Sequence, residues 1–217
     1  MKPRIILVLL LLLSSTVAAF ASPQAPDILI YEGKEYRIPS WFLDDYFKKF
    51  PKRKPKPKGP WCSGLHRGYQ AKFEVIGEKI YLKDVVSFRG CSDPETVLKK
   101  VVPNGDKLFI DWVSDLIISG YGQNLEDPYV GDEPFNSGFE NYTIFEIDKG
   151  NVVEVRHFDN KGFRQLKTKQ FEAYKKTPEY ELELKRTLAR DSQMSKTDAD
   201  ASIERWIFSY TKKFLDK

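Results

Sequence analysis

YQAKFEVIGEKIYLKDVV, residues 69–86, consists of two alternating runs divided by a two-residue turn, and the architecture of the chain is best inferred from it. Gly comes first in the turn Gly77-Glu78, as a type II′ hairpin turn requires. Counting away from the turn predicts the facing pairs on one side: Val75 with Ile80, Phe73 with Leu82, Ala71 with Asp84, and Tyr69 with Val86. This side is apolar except at Asp84, so we expect an antiparallel hairpin with one buried face.

The remaining pattern predicts further hairpins and then helices. Residues 28–38 and 144–157 each predict a hairpin, the second with a loop at 149–151 that leaves His157 near Thr143. Residues 92–95 have capping-box spacing and predict a helix to about residue 100. After residue 160 the apolar residues recur with the period of an α-helix, and Asp198 would cap the last helix. The class predicted is α+β, an antiparallel β-sheet built from hairpins with three C-terminal amphipathic helices packed on it.

Residues 1–21 have the pattern of a secretory signal peptide: basic residues, an apolar run, and the small-residue end Ala19-Phe20-Ala21. The run from Ile5 to Leu13 is much shorter than the ~20 residues that a membrane span needs. We therefore expect cleavage before Ser22 and a periplasmic or secreted protein without a membrane span. Residues 22–217 are predicted to form a single α+β domain.

The charge balance argues against nucleic acid as a partner. The chain has 35 Lys and Arg against 31 Asp and Glu, a net charge of +4 that falls to +2 without the leader's Lys2 and Arg4. Proteins that bind nucleic acid derive affinity from neutralising many phosphates, which needs a larger excess. Two His and two Cys in no zinc-binding spacing predict no metal site and no cofactor.

Residues 48–60 form a basic connector rich in Pro and Lys. Between residues 48 and 58 there are seven basic residues, three prolines and no acid, which predicts an extended, solvated segment. Docking on an acidic partner or on an anionic lipid or glycan is the functional alternative to a plain spacer.

The two cysteines are predicted to form a disulfide. In the register of the 69–86 hairpin, Cys62 lies diagonally across from Cys91 at its open end. In exported proteins two cysteines placed in this way usually form a disulfide bond. A reactive thiol, the alternative, has no adjacent base in the sequence.

Three ionisable side chains are weak candidates for catalysis. His66 and His157 have no accompanying nucleophile signature, so no catalytic residue is assigned. Asp84, aimed at the apolar side, must either meet a cation such as Arg67 or be turned outward by a bulge.

The strongest functional candidate is the segment 120–141. It contains five acids and no Lys or Arg, together with four aromatic residues and several Gly and Pro. Long loops of this kind in compact domains tend to be functional. We expect a recognition surface formed by Tyr129, Asp132, Glu133, Phe135 and Phe139. The alternative is that its aromatic rings pack beneath the sheet and its acids are merely solvated.

Residues 31–36, 67–74 and 169–177, with the sequences YEGKEY, RGYQAKFE and KQFEAYKKT, resemble a group of small exported bacterial proteins to which no function is assigned. These shared features are turn glycines, strand alternation and a helix face. The resemblance implies bacterial export and a single folded unit, and it transfers no catalytic residue.

Two functions from different classes follow. The first is a secreted or periplasmic non-catalytic protein-binding protein, such as an inhibitor or immunity-type partner of another exported protein. The alternative is a carboxylate-dependent carbohydrate-active hydrolase of the cell envelope, which would need two facing carboxylates. A third hypothesis is that the protein is a structural component of the cell envelope.

Overall fold

The computed structural model describes residues 24–39, 41–105, 107–124, 138–191 and 193–216. The predicted leader, residues 1–21, lies outside them. The strands are β1 (Asp27–Tyr31), β2 (Lys34–Ile38), β3 (Tyr69–Ile76), β4 (Lys79–Arg89), β5 (Ser92–Thr96), β6 (Leu108–Phe109), β7 (Asp115–Asn124), β8 (Phe139–Asp148) and β9 (Asn151–Asp159). The helices are α1 (Asp44–Lys49), α2 (Leu98–Val101), α3 (Asn160–Tyr174), α4 (Pro178–Arg190), α5 (Lys196–Arg205) and α6 (Ile207–Tyr210). The α+β class is confirmed.

The nine described strands form one mixed sheet in the order β2-β1-β3-β4-β9-β8-β7, with β5 and β6 also paired to β4. The prediction of a purely antiparallel sheet is wrong at one place, because β1 and β3 are parallel. The carboxylate of Asp27 accepts the Ala71 amide (2.7 Å) and two hydrogen bonds from Arg67, which holds the start of β1 beside β3. This contact joins residues far apart in sequence, so no local pattern reveals it.

The sheet divides into two layers that share only one corner. β4 and β9 pair only at Lys79 and Asn151, after which the two strands diverge. One hydrophobic core fills the space between the layers, and Tyr31 and Tyr36 meet Phe145 edge-on, with ring centroids 5.4 and 5.1 Å apart. The layers therefore pack face to face around this core.

The opposite face of β7 and β8 is covered by the C-terminal helices. Tyr142 of β8 stacks on Phe163 of α3 with ring centroids 3.9 Å apart, and Ile144 lies in the same core as Ile203 of α5. Both faces of β8 are thus buried, which accounts for its continuous run of buried residues. The last predicted helix differs in detail: Ser195, not Asp198, is its N-cap, and the helix breaks at Trp206.

A bulge ends the predicted register of the β3–β4 hairpin. Val75 faces Ile80 and Phe73 faces Leu82, but Lys72 faces Asp84 and Ala71 faces Val85. The extra residue in β4 turns the half-buried Asp84 away from the apolar side. Its carboxylate accepts hydrogen bonds from the Val85 amide and the Thr96 hydroxyl, so Asp84 is neither buried opposite Ala71 nor paired with Arg67.

The predicted disulfide is present, whereas the predicted capping box is wrong. The sulfur atoms of Cys62 and Cys91 are 2.07 Å apart. Residues 92–96 form strand β5 along β4, and the helix begins only at Leu98. The hydrogen bonds that residues 92–96 form with the edge of β4 stabilise the chain more than a cap on a short helix would.

The connector is exposed over most of its length, but it is held against the body of the protein. Pro55 is buried. Pro57 packs closely on Gly68, since a Cβ added to Gly68 would lie 2.6 Å from the Pro57 Cα. The carbonyl of Lys58 accepts the Gly90 amide at 2.7 Å. The segment therefore runs along the body of the protein. In the described ranges no helix has both the length and the apolarity to cross a membrane.

Candidate functional site

A cleft of about 660 Å³ opens between β2 and β7, the two ends of the sheet. Its walls are residues 34–37 of β2 and 119–122 of β7, together with Phe139 and His157. Tyr36, which meets Phe145 edge-on in the core between the layers, is one of the lining residues. Clefts at the mouths of β-structures are common ligand sites.

Strand alternation explains the polar floor of the cleft. In β8 the residues Thr143, Phe145 and Ile147 point between the layers, and Thr143 is the polar end of this series. Ser119 of β7 and His157 of β9 pair with Thr143 on its two sides. Three polar side chains thus lie in a row across adjacent strands, and the expected closeness of His157 to Thr143 is observed.

One hydrogen bond crosses this floor. The Thr143 hydroxyl, on a fully buried residue, is 2.9 Å from Nδ1 of His157. Tyr36 lies close by: burial raises the pKa of its phenol, and the neighbouring Thr143 hydroxyl opposes that shift. The phenol is therefore a neutral hydrogen-bonding group at ordinary pH.

The rim is aromatic and charged. Tyr121 is 44% exposed at the β7 side, and Lys34 and Arg37 are exposed along β2. Glu35 is the one carboxylate among the described lining residues. The described wall therefore combines tyrosine rings with two cations and one anion.

The segment 120–141 is only partly described. Its ends enter the cleft wall, but Tyr129, Asp132, Glu133 and Phe135 lie outside the described residues. Phe139 is half-buried, its ring lies over Gly120, and it meets Tyr142 edge-on at 6.3 Å. This ring serves both as cleft wall and as the margin of the helix-covered core, so the recognition surface remains a prediction.

The other sequence candidates lie elsewhere. His66 is exposed, and its backbone amide donates to Gln24 Oε1 at 3.1 Å. Both cysteines are in the disulfide. Within the described ranges, no three His, Cys, Asp or Glu residues cluster in a way that could hold a metal ion. The cleft residues Tyr36 and Ser119 were missed, because their approach depends on the curl of the whole sheet.

A second cavity of about 750 Å³ lies between the end of β8 and the C-terminal segment. Several of its lining residues have structural contacts: Glu146 accepts the Phe214 amide at 2.8 Å, and Tyr174 stacks on Tyr210. We therefore regard the first cavity as the candidate site.

The chain matches no protein-family model, no curated protein and no solved structure.

Proposed function

We propose that the protein is an exported, non-catalytic binding protein that holds a segment of a protein partner in the cleft between β2 and β7. The observation behind this proposal is that both walls of the cleft are edge strands. An edge strand has backbone N–H and C=O groups that its sheet does not use, and an extended polypeptide can pair with them. Inhibitors and immunity-type partners of exported proteins are the form of binding protein that we favour.

The side chains around these edges suit a protein partner. Tyrosine and arginine are enriched among the residues that dominate binding energy at interfaces, and Tyr36, Arg37 and Tyr121 lie together at the cleft. Lys34 and Arg37 favour a partner segment that contains an acidic residue.

The same geometry gives little support to a hydrolase. Thr143, the hydroxyl bonded to His157, is fully buried and faces no open substrate space as a nucleophile would. A glycosidase needs two carboxylates about 5–10 Å apart, and Glu35 alone lines the described wall. The carboxylate-dependent hydrolase is therefore not our proposal.

Export is part of the proposal. It rests on the leader pattern of residues 1–21 and on the disulfide between Cys62 and Cys91, since disulfides persist in oxidising compartments.

Random peptides displayed on phage and selected on the immobilised protein test the binding function. We expect enriched peptides whose affinity falls about ten-fold or more in Tyr121→Ala and in Arg37→Ala. Leu182→Ala, which truncates a similarly exposed residue on α4, is the matched control and should leave the affinity unchanged. Failure to enrich any sequence, or equal affinity for all three variants, would contradict the proposal.

A further inference from the structure

A run of basic residues lies outside the cleft, from the end of α1 through the connector to the disulfide. Lys48 and Lys58 form ion pairs with Asp45 (2.6 Å) and Glu95 (2.7 Å). Four other exposed lysines have no ion pair with any residue that the structure describes: Lys49, Lys52, Lys54 and Lys56. We call these four lysines and Trp61 the basic face.

The basic face is presented by a segment that is fixed to the body. Pro55 is buried between the exposed Lys54 and Lys56, and Pro57 packs on Gly68. In extended backbone alternate residues point to opposite sides. Lys54 and Lys56 therefore project outward on either side of the buried Pro55, while Lys49 ends α1 and Lys52 lies in a single 3-10 turn at Pro51–Arg53.

Trp61 follows the lysine-rich segment and its side chain is exposed to solvent. It is 78% exposed, the highest value among the large hydrophobic residues that the structure describes. The next residue, Cys62, is joined to Cys91, so the backbone beside Trp61 is covalently clamped. A large ring on a fixed backbone is therefore available to a partner surface beside the lysines of the connector.

We propose that the basic face docks on the surface of an anionic lipid bilayer. Lysine ammonium groups are attracted to anionic headgroups, and tryptophan prefers the headgroup level of a membrane. Phe50, 41% exposed beneath the Arg53 guanidinium at 4.3 Å, adds a second apolar contact of the same kind. A bilayer offers anionic headgroups to the lysines and an apolar layer to both exposed rings, so it is the partner we propose, and an anionic polysaccharide is an alternative outcome of the test.

The test measures binding to vesicles of phosphatidylglycerol and phosphatidylethanolamine, with phosphatidylcholine vesicles as the uncharged reference. Each lysine near an anionic leaflet contributes roughly five-fold to affinity, so Lys52→Gln, Lys54→Gln and Lys56→Gln together should weaken binding about 100-fold. The matched control removes the same charge from exposed lysines on α3 and α4, at Lys161, Lys169 and Lys185. All variants are expressed in the same host and compared only where they have the same N-terminus.

Two further measurements separate the bilayer from other anions. Vesicle binding should shift tryptophan emission to shorter wavelength in the wild type but not in Trp61→Phe, and it should weaken steeply with salt. Dextran sulfate provides the polysaccharide comparison. Docking on lipid is refuted by absent vesicle binding at low salt, by equal losses in the triple variant and its control, or by binding to dextran sulfate alone.

Discussion

Asp27 and Arg67 form an ion pair that is almost completely withdrawn from water, with side chains 0% and 8% exposed. Burial raises the pKa of Asp27, and the guanidinium beside it opposes that shift. The pair links β1 to the loop before β3, so its geometry determines where the first strand lies.

Removing one partner leaves a buried charge uncompensated. We expect Arg67→Met to lower the free energy of unfolding by about 3–5 kcal/mol, measured by denaturant titration. The double variant Asp27→Leu, Arg67→Met removes both charges and should lose less than the single variant. A double variant as unstable as Arg67→Met would contradict this account.

Asp115, at the start of β7, should make stability depend on pH. Burial raises its pKa to about 6, partly opposed by a hydrogen bond from the Leu116 amide and by Lys212. The folded state therefore binds the proton more tightly than the unfolded state does, and stability falls as pH rises from about 4 through about 6. Asp115→Asn should abolish this loss, so the variant gains stability over the wild type across that window. Unfolding titrations at pH 4, 5, 6 and 7 measure the difference; a constant difference would be evidence against the shift.

At the scale of elements, the disulfide closes a loop that contains the whole β3–β4 hairpin, with Cys62 and Cys91 separated by 29 positions. In the chain-entropy model such a loop stabilises the folded state by roughly 3.6 kcal/mol. The bond also holds Trp61 and the turn before β5 together.

Cys62→Ser with Cys91→Ser should therefore lower the free energy of unfolding by about 2–4 kcal/mol without changing the cleft. Denaturant unfolding measures the loss, and peptide binding serves as the control for the cleft. Two reactive thiols in the denatured, non-reduced wild type would show that the bond does not form.

The β4 hairpins show how far local patterns reach. Alternation on both sides of Gly77 predicts the pairs Val75 with Ile80 and Phe73 with Leu82, because these residues are close in sequence. The bulge beyond them lies in β4 between the residues that pair with β6 and those that pair with β5, and the local pattern includes neither strand.

For the whole molecule, β8 joins the two hydrophobic cores. Phe145 lies in the core between the sheet layers, and Tyr142 lies beneath the C-terminal helices. Since adjacent positions of one strand belong to different cores, neither core should unfold without disturbing the other.

We expect Phe145→Ala and Tyr142→Ala each to lower the free energy of unfolding by about 3–5 kcal/mol and to shift one common transition. Circular dichroism and tryptophan fluorescence should report the same midpoint in each variant. Separate midpoints, with only one affected by each substitution, would mean that the cores unfold independently.

The sequence alone was sufficient for the α+β class, the 77–78 turn, the cysteine pair and the closeness of His157 to Thr143. Each of these depends on residues that are neighbours along one hairpin or helix, or on the compartment implied by the leader. Their energetics are local, so periodicity and turn chemistry report them.

Only the tertiary structure decided the parallel pairing of β1 with β3, the strand at residues 92–96, and the cleft itself. Tyr36 meets Thr143 because the two ends of a nine-stranded sheet approach each other, which results from the summed twist and packing of all its strands. A capping box contributes about 1 kcal/mol, so a strand edge that offers several hydrogen bonds outweighs it. Contacts between distant residues are set by the free energy of the complete fold, and no segment read by itself contains that information.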